Sequence, residues 1–242
     1  MNNLTHDTAL ARYTQRRGQI ETYFDRTAAD AWARLTSTAP VSGIRATVRA
    51  GRDRMRATLL DWLPTDLRGM RLLDAGCGTG ALAVEAAHRG AEVVAIDLSP
   101  TLVALARDRT PELRNGGRIE FHSGDMLDPA LGCFDHVVGM DSLIHYNRDD
   151  VVRVLGGLAQ RTRCAVLFTF APGTPLLNTM IAVGRLFPRG DRAPSIEPVA
   201  EHRLRALIAA TPDLQSFEPG RSLRVSSGFY KSHAFELVRR QA

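Results

Sequence analysis

Lysine is nearly absent from this sequence, and so are the hydrophobic runs that a membrane protein needs. Lys231 is the single lysine among 31 basic residues, so the other 30 are arginine. No stretch approaches the roughly 18–20 uninterrupted apolar residues of a membrane span, and residues 1–19 hold no apolar secretory core. We therefore expect a cytoplasmic protein, at most peripheral to a membrane.

Cysteine is also scarce, and its spacing excludes two kinds of site. Cys77, Cys133 and Cys164 are far apart, and the sequence has neither a CxxC pair nor a cysteine–histidine spacing typical of zinc. We therefore expect buried free thiols rather than a zinc site or a disulfide framework. The net charge of +5 suits an anionic substrate, but the arginines are scattered among acids, which argues against a nucleic-acid partner.

The overall composition is typical of a globular protein, with 44% hydrophobic and 24% charged residues among 242. Residues 1–67 carry helical periodicity and predict an N-terminal helical arm. Residues 68–242 alternate short apolar runs with helical segments, which indicates an α/β domain with a mostly parallel sheet covered on both faces. Prolines surround an apolar piece at 172–198, so we expect a lid insertion there. Residues 223–230 and 234–239 predict a terminal hairpin.

The strongest local signal is the run LLDAGCGTG at residues 72–80, in which an apolar strand leads into glycines that open a helix. Glycine lets the backbone approach a ligand closely, and the free N–H groups of the helix N-terminus face the same crevice. The next predicted strand, VVAID, ends at Asp97, whose carboxylate can accept hydrogen bonds from both hydroxyls of a ribose. After the third strand, SGDM at residues 123–126 is placed to meet an adenine edge.

Two cofactor classes fit this pattern. Gly76, Gly78 and Ala81, with Asp97 following Gly78 by 19 residues, match a relaxed dinucleotide fingerprint. A pyrophosphate prefers an uncharged or positive loop, however, and Asp74 directly precedes the glycines. A carboxylate at that position suits a cation, such as the amino group and sulfonium of S-adenosylmethionine.

Asp74-x-Gly76-x-Gly78-x-Gly80, followed by Asp97 and the SGDM segment, resembles the class I S-adenosylmethionine-dependent methyltransferases. That resemblance implies a Rossmann-like, seven-stranded, mostly parallel sheet whose last strand is antiparallel. It also implies which residues surround the cofactor and its product, S-adenosylhomocysteine: Asp74, Gly76, Gly78, Asp97, Leu98, Asp125, Met126 and Met140.

Three further segments narrow the resemblance: ETYFDRTAADAW at 21–32, MDSLIHY at 140–146 and GRLFPRGDRAP at 184–194. Together they are similar to the magnesium-protoporphyrin IX O-methyltransferases of chlorophyll and bacteriochlorophyll synthesis. The resemblance implies methyl transfer to one porphyrin propionate, with magnesium present only as part of the substrate. It further implies the porphyrin-binding subunit of magnesium chelatase as a partner, and a location at most peripheral to the photosynthetic membrane.

The acceptor chemistry assigns roles to these segments. A propionate with a pKa of about 4.3 is already ionised at neutral pH, so the site needs orienting donors rather than a strong base. His145 is expected to orient the carboxylate or to deprotonate a residual acid form, and Tyr23 to close over the methyl donor or direct the carboxylate. Aromatic and cationic side chains are expected to hold the macrocycle and its second propionate: Phe24, Trp32, Tyr146, Arg185, Arg189 and Arg192.

Two alternatives remain open from the sequence. The first is an O-methyltransferase of a phenolic quinone precursor, which would need a base to deprotonate its acceptor because a phenol has a pKa of about 10. The second is a nucleic-acid-binding module with a methyltransferase core, which the arginine content permits.

Overall fold

The computed structural model describes residues 2–37, 40–41, 43–113, 116–173 and 195–241. Within them, seven strands form one sheet, and six of the strands run in the same direction. The strands are β1 (Arg71–Ala75), β2 (Glu92–Asp97), β3 (Arg118–Ser123), β4 (Phe134–Gly139), β5 (Thr162–Phe170), β6 (Phe217–Ser227) and β7 (Tyr230–Arg239). Their order across the sheet is β3-β2-β1-β4-β5-β7-β6, and β7 is antiparallel to both of its neighbours. The predicted sheet with an antiparallel last strand is confirmed.

Seven α-helices accompany these strands in the described part of the chain. They are α1 (Asn2–Thr22), α2 (Ala29–Leu35), α3 (Ile44–Asp61), α4 (Ala81–His88), α5 (Pro100–Arg109), α6 (Arg148–Ala159) and α7 (Glu201–Ala210), with a π-helical turn at Tyr23–Thr27 between α1 and α2. The start of α5 follows directly from local sequence. The Ser99 hydroxyl accepts the Leu102 N–H at 3.2 Å, and Pro100 occupies the first helical position, where a missing N–H costs nothing.

The two faces of the sheet carry separate hydrophobic cores. One core joins Leu73, Phe134 and Phe168 to the buried side of α6, and the other joins Leu72 and Leu167 to α3 and α4. Helices therefore cover both faces of a mainly parallel sheet, which leaves the carboxyl ends of the strands as the open edge for a ligand.

Helix α3 is part of this core even though it precedes β1. Met55 and Leu59 are fully buried, and the Cα of Gly51 lies so close to the Tyr230 ring that an added Cβ would meet it at 2.5 Å. The face of α3 that carries these residues is thus pressed onto the sheet, and the helix is held in a fixed position beside the open edge. The division of the chain at residue 67 stays a prediction.

Two sequence expectations are wrong. The hairpin turn is at Gly228–Phe229 rather than at 231–233, because β6 ends at Ser227 and β7 already begins at Tyr230. Cys133 and Cys164 are exposed, not buried, and Cys77 is half-buried. Among the described helices, none combines the length and the apolar character needed to cross a bilayer.

The segment predicted as a lid leaves and re-enters the fold at neighbouring points. Pro172 and Val199 form an isolated parallel bridge, in which the Gly173 N–H donates to the Val199 carbonyl and the Val199 N–H to that of Ala171, both at 2.9 Å. Residues 174–194 lie outside the described part of the chain, so the lid stays a prediction.

Candidate active site

A cavity of about 510 Å³ opens at the carboxyl edge of β1, β2 and β4. Loops after these strands form its floor, and the turn before α2 together with one face of α3 forms its walls. Most of the residues predicted to bind cofactor or substrate line it: Phe24, Trp32, Asp74, Gly76, Gly78, Asp97, Leu98, Met126, Met140, His145 and Tyr146.

The glycine loop is held against the end of β2. The Gly78 N–H donates to Asp97 Oδ2 at 2.8 Å, and the Ser99 N–H donates to Oδ1 at 3.0 Å. Gly76 and Gly78 both have left-handed φ values, of 88° and 53°. A side chain at Gly76 would overlap Ser142, so the backbone approaches the β4 loop more closely than any other residue would allow.

Asp74 is the most unusual group in the cavity. Its side chain is 1% exposed, and Oδ2 has no hydrogen-bond partner among the described residues. Burial, together with the negative charge of Asp97, raises the pKa of Asp74 to about 7. Burial also raises the pKa of Asp97. A cavity that holds two such carboxylates suits a cationic ligand and disfavours a pyrophosphate, so the residues present fit the ammonium and sulfonium of S-adenosylmethionine.

Asp125 faces helix α1 rather than the cavity. Its carboxylate accepts the Tyr13 hydroxyl at 2.9 Å and the Leu127 N–H at 2.9 Å, and it forms an ion pair with Arg17. The residues on either side, Gly124 and Met126, line the cavity. The loop predicted to meet adenine therefore borders the cavity, while its acidic side chain anchors α1.

An aromatic group forms the wall beside His145. The Phe24 ring centroid is 5.5 Å from that of His145 and 5.7 Å from that of Trp32, and the Tyr23 ring contacts Phe24 edge-on at 5.2 Å. Tyr23 itself is not among the cavity-lining residues. The His145 carbonyl accepts Arg16 Nε at 2.7 Å, which ties the histidine loop to α1.

Tyr146 is buried, and its ring stacks on Tyr13 at 5.5 Å. Burial and the charge of Asp125 raise the pKa of Tyr146. It therefore stays a neutral phenol that packs at the edge of the cavity.

Comparison with known proteins shows the family to which the chain belongs. A family model for the C-terminus of magnesium-protoporphyrin IX methyltransferases matches residues 139–239, and a general methyltransferase-domain model matches residues 72–164. A magnesium-protoporphyrin O-methyltransferase of Rhodobacter capsulatus is 51% identical over 226 residues, which cover 93% of this chain and 97% of the relative. The chain belongs to the magnesium-protoporphyrin IX methyltransferase family.

The same family supplies more distant relatives. A magnesium-protoporphyrin O-methyltransferase of Synechocystis is 29% identical over 91% of this chain and 95% of its own. The crystal structure of magnesium protoporphyrin IX methyltransferase from Synechocystis PCC 6803, with bound S-adenosylhomocysteine, has a TM-score of 0.81 and 28% identity. That match covers 93% of this chain and 100% of the Synechocystis chain. The family and the class I methyltransferase fold predicted from sequence are confirmed, and the dinucleotide alternative does not fit this family.

Several residues of this family member's cavity were not predicted from the sequence. Arg49, Arg52 and Arg56 follow one another at helical spacing on α3 and all line the cavity, as do Asp141 and Ser142. The spacing of the arginines was a usable signal, because positions three and four apart share a helix face. The three arginines predicted in the lid, Arg185, Arg189 and Arg192, lie outside the described residues.

Proposed function

We propose that the chain transfers the methyl group of S-adenosylmethionine to a propionate carboxylate of magnesium-protoporphyrin IX, giving the monomethyl ester and S-adenosylhomocysteine. One observation carries the proposal: a single cavity joins the glycine loop and Asp74 to Phe24 and His145. Phe24 and His145 belong to the 21–32 and 140–146 segments that first indicated the porphyrin substrate. The predicted cofactor is the one that the methyltransferase family uses.

The reaction needs little acid–base chemistry from the protein. When bound, S-adenosylmethionine supplies a methyl group activated by a positively charged sulfur. A propionate, with a pKa of about 4.3, is already an ionised nucleophile at neutral pH. The protein therefore contributes chiefly position and exclusion of water, and holding two reactants in line can lower such a barrier by roughly 7–11 kcal/mol.

Asp74 and Asp97 bind the cofactor's cationic and ribose groups in this proposal. Asp74 offers the unpartnered Oδ2, and its ionised form is favoured once a cation lies beside it. Asp97 already accepts two backbone N–H groups, which fix its carboxylate at the end of β2. The glycine positions, Leu98, Met126 and Met140 line the remaining surface. Asp125 acts indirectly, because its contacts with Tyr13 and Arg17 hold its loop against α1.

His145 and Tyr23 remain the proposed catalytic residues. His145 lines the cavity beside Phe24, where an imidazole N–H can orient the ionised carboxylate by donating a hydrogen bond to it. Tyr23 contacts Phe24 edge-on, and its proposed role is to close over the methyl donor or to direct the carboxylate. Phe24, Trp32 and Tyr146 would provide flat apolar surface for the macrocycle, and the three lid arginines would pair with its second propionate.

A product assay tests the function directly. Purified protein is incubated with S-adenosylmethionine carrying a labelled methyl group and with magnesium-protoporphyrin IX, and the tetrapyrrole is analysed by mass spectrometry. One added methyl ester is expected. The dimethyl ester of the same porphyrin is the matched control and must remain unlabelled. An unmodified diacid in the presence of protein that binds S-adenosylhomocysteine would overturn the substrate assignment.

The solubility and reactivity of the porphyrin support a proposal about the partner and the cellular location of the protein. A poorly soluble, phototoxic porphyrin is best handed over directly, so we expect a contact with the porphyrin-binding subunit of magnesium chelatase. The chain itself would then be cytoplasmic or peripheral to the photosynthetic membrane. Mixing the two purified proteins with limiting porphyrin should raise the turnover rate, whereas an equal amount of albumin as porphyrin carrier should not. Equal rates with both carriers would argue against a specific contact.

A further inference from the structure

Two contacts fix the position of the Arg52 guanidinium on the cavity wall. Its guanidinium lies over the Trp32 ring, 4.6 Å from the ring centroid, and Nη1 donates to Asp141 Oδ2 at 2.5 Å. The Arg52 side chain is 18% exposed and lines the cavity. Stacking and the ion pair together restrict a side chain that is otherwise long and flexible.

Asp141 is itself held in place by groups outside the cofactor loop. Both of its oxygens accept the Tyr230 hydroxyl at 3.0 Å, Oδ1 also accepts the Ser232 hydroxyl at 3.1 Å, and the Asp141 N–H donates to Thr169 Oγ1 at 2.7 Å. Its φ of 55° is the single left-handed value among the described non-glycine residues. A strained backbone that several hydrogen bonds over-determine is typical of a functional position.

The contacts of Arg52 leave part of its donor capacity unused. Nε and Nη2 have no hydrogen-bond acceptor among the described residues, although an arginine carries five N–H donors in a fixed fork. The neighbouring Arg56 differs, because it pairs with Asp53 and with Glu85. An aligned guanidinium with a free edge in a cavity matches a carboxylate, which it can bind through two parallel hydrogen bonds.

We infer that Arg52 anchors a carboxylate of a bound ligand, with Asp141 as the positioning residue that aims its guanidinium. The inference rests on the proposed function, which brings two carboxylates that do not react. One is on the methionine part of the cofactor, and the other is the propionate that is not methylated. Trp32 links Arg52 to the glycine loop, because its Nε1 lies 3.4 Å from the place where a Gly78 Cβ would be.

Three variants separate a ligand contact from a structural role. Arg52→Gln removes the charge and the fork, Arg52→Lys keeps the charge and its pairing with Asp141 but loses the fork, and Arg54→Gln is the control because Arg54 is exposed on the same helix. Binding of S-adenosylhomocysteine is measured by calorimetry beside 5′-methylthioadenosine, which lacks the carboxylate. Binding of magnesium-protoporphyrin IX is measured by absorbance beside its dimethyl ester.

Arg52→Gln should weaken binding only of the ligand whose carboxylate Arg52 contacts, and not of the analogue that lacks this carboxylate. If the cofactor's carboxylate is the partner, S-adenosylhomocysteine binds about tenfold or more weakly while 5′-methylthioadenosine is unaffected. If the propionate is the partner, the diacid porphyrin weakens to the same degree while its dimethyl ester is unaffected. The affinity of Arg52→Lys for the carboxylate ligand should lie between those of the wild type and Arg52→Gln. The lysine variant replaces the glutamine variant in these measurements if the latter does not fold.

Unchanged affinity for all four ligands in folded protein would overturn the inference while leaving the proposed function standing. An equal loss for ligands with and without the carboxylate would also overturn it, because that is what distortion of the wall would produce. A wild-type protein that binds neither S-adenosylhomocysteine nor the porphyrin would instead remove the proposed function, and the inference would fall with it.

Discussion

Burial raises the pKa of Asp74, and the carboxylate of Asp97 on the neighbouring strand raises it further, to about 7. Asp74 of β1 is paired with Ala95 of β2, so the two acids lie two residues apart along adjacent parallel strands. The ligand-free protein thus holds a proton on Asp74 below neutral pH, and a cationic ligand must displace it.

The affinity for S-adenosylhomocysteine should therefore depend on pH. A cation beside Asp74 favours the ionised form and lowers its pKa, so binding releases a proton at and below pH 7. We expect affinity to fall by about tenfold per pH unit as pH drops below 7, and to level off above pH 8. Calorimetry in two buffers of different ionisation enthalpy measures both the affinity and the proton released.

Asp74→Asn should bind more weakly at pH 8 and lose most of the pH dependence between 5.5 and 7. The matched control is Asp108→Asn, since Asp108 is exposed on α5. It should retain the wild-type profile. A wild-type affinity that is flat from pH 5.5 to 8 would contradict the role of Asp74 as the cation's partner.

Gly76 should not tolerate a side chain. Its φ is 88°, and an added Cβ would overlap the Cβ of Ser142, so Gly76→Ala combines backbone strain with a clash that displaces the β4 loop. We expect a loss of more than about 3 kcal/mol in the free energy of unfolding and a severe loss of S-adenosylhomocysteine affinity. Denaturant unfolding and calorimetry measure the two effects.

Gly69→Ala separates strain from the clash. Gly69 also has a left-handed φ, of 73°, but nothing lies within 4 Å of the place where its Cβ would be. It should cost only about 1–2 kcal/mol and leave cofactor affinity unchanged. If both variants lose the same stability, the close approach of Gly76 to Ser142 is not what requires glycine.

Asp141→Asn should destabilise the fold. The substitution leaves the Arg52 guanidinium without its counter-ion and weakens the acceptor of the Tyr230 and Ser232 hydroxyls. Removing one partner of a buried pair costs about 3–5 kcal/mol, and because Arg52 is 18% exposed we expect about 2–4 kcal/mol by denaturant unfolding. Asp66→Asn, which breaks an exposed pair with Arg68, should leave stability unchanged. Equal effects of the two variants would argue against a structural role of the Asp141 pair.

Much of the central sheet and of the cofactor loop could be predicted because their signals are local. The apolar runs of β1, β2 and β4 are buried on both faces, and the cap of α5 needs only Ser99 and Pro100. The sheet edge was harder. β6 begins at Phe217, and its next seven residues are exposed around Pro219 and a register shift, so no alternation marks them as a strand.

Other parts of the cavity wall depend on contacts between distant parts of the chain. Arg52 and Asp141 are 89 residues apart, and an arginine on a helix is ordinarily interpreted as a solvated charge. Nothing in the sequence near Asp125 shows that its carboxylate turns toward Tyr13 and Arg17. Motifs predicted which loops border the cavity, whereas the direction of individual side chains depends on tertiary packing.

His145 distinguishes a carboxylate acceptor from a phenol. An imidazole that only orients an ionised propionate contributes a hydrogen bond, so His145→Ala should lower kcat by about 10–100-fold without abolishing turnover. His145→Gln, which keeps a donor beside Phe24, should recover part of that loss. Methyl transfer measured from pH 6 to 9 should show no new requirement for hydroxide in either variant, because the acceptor is ionised throughout. An enzyme that uses His145 to deprotonate its acceptor would behave differently: both variants would lose activity to the same background level and regain it as pH rises toward the acceptor's own pKa.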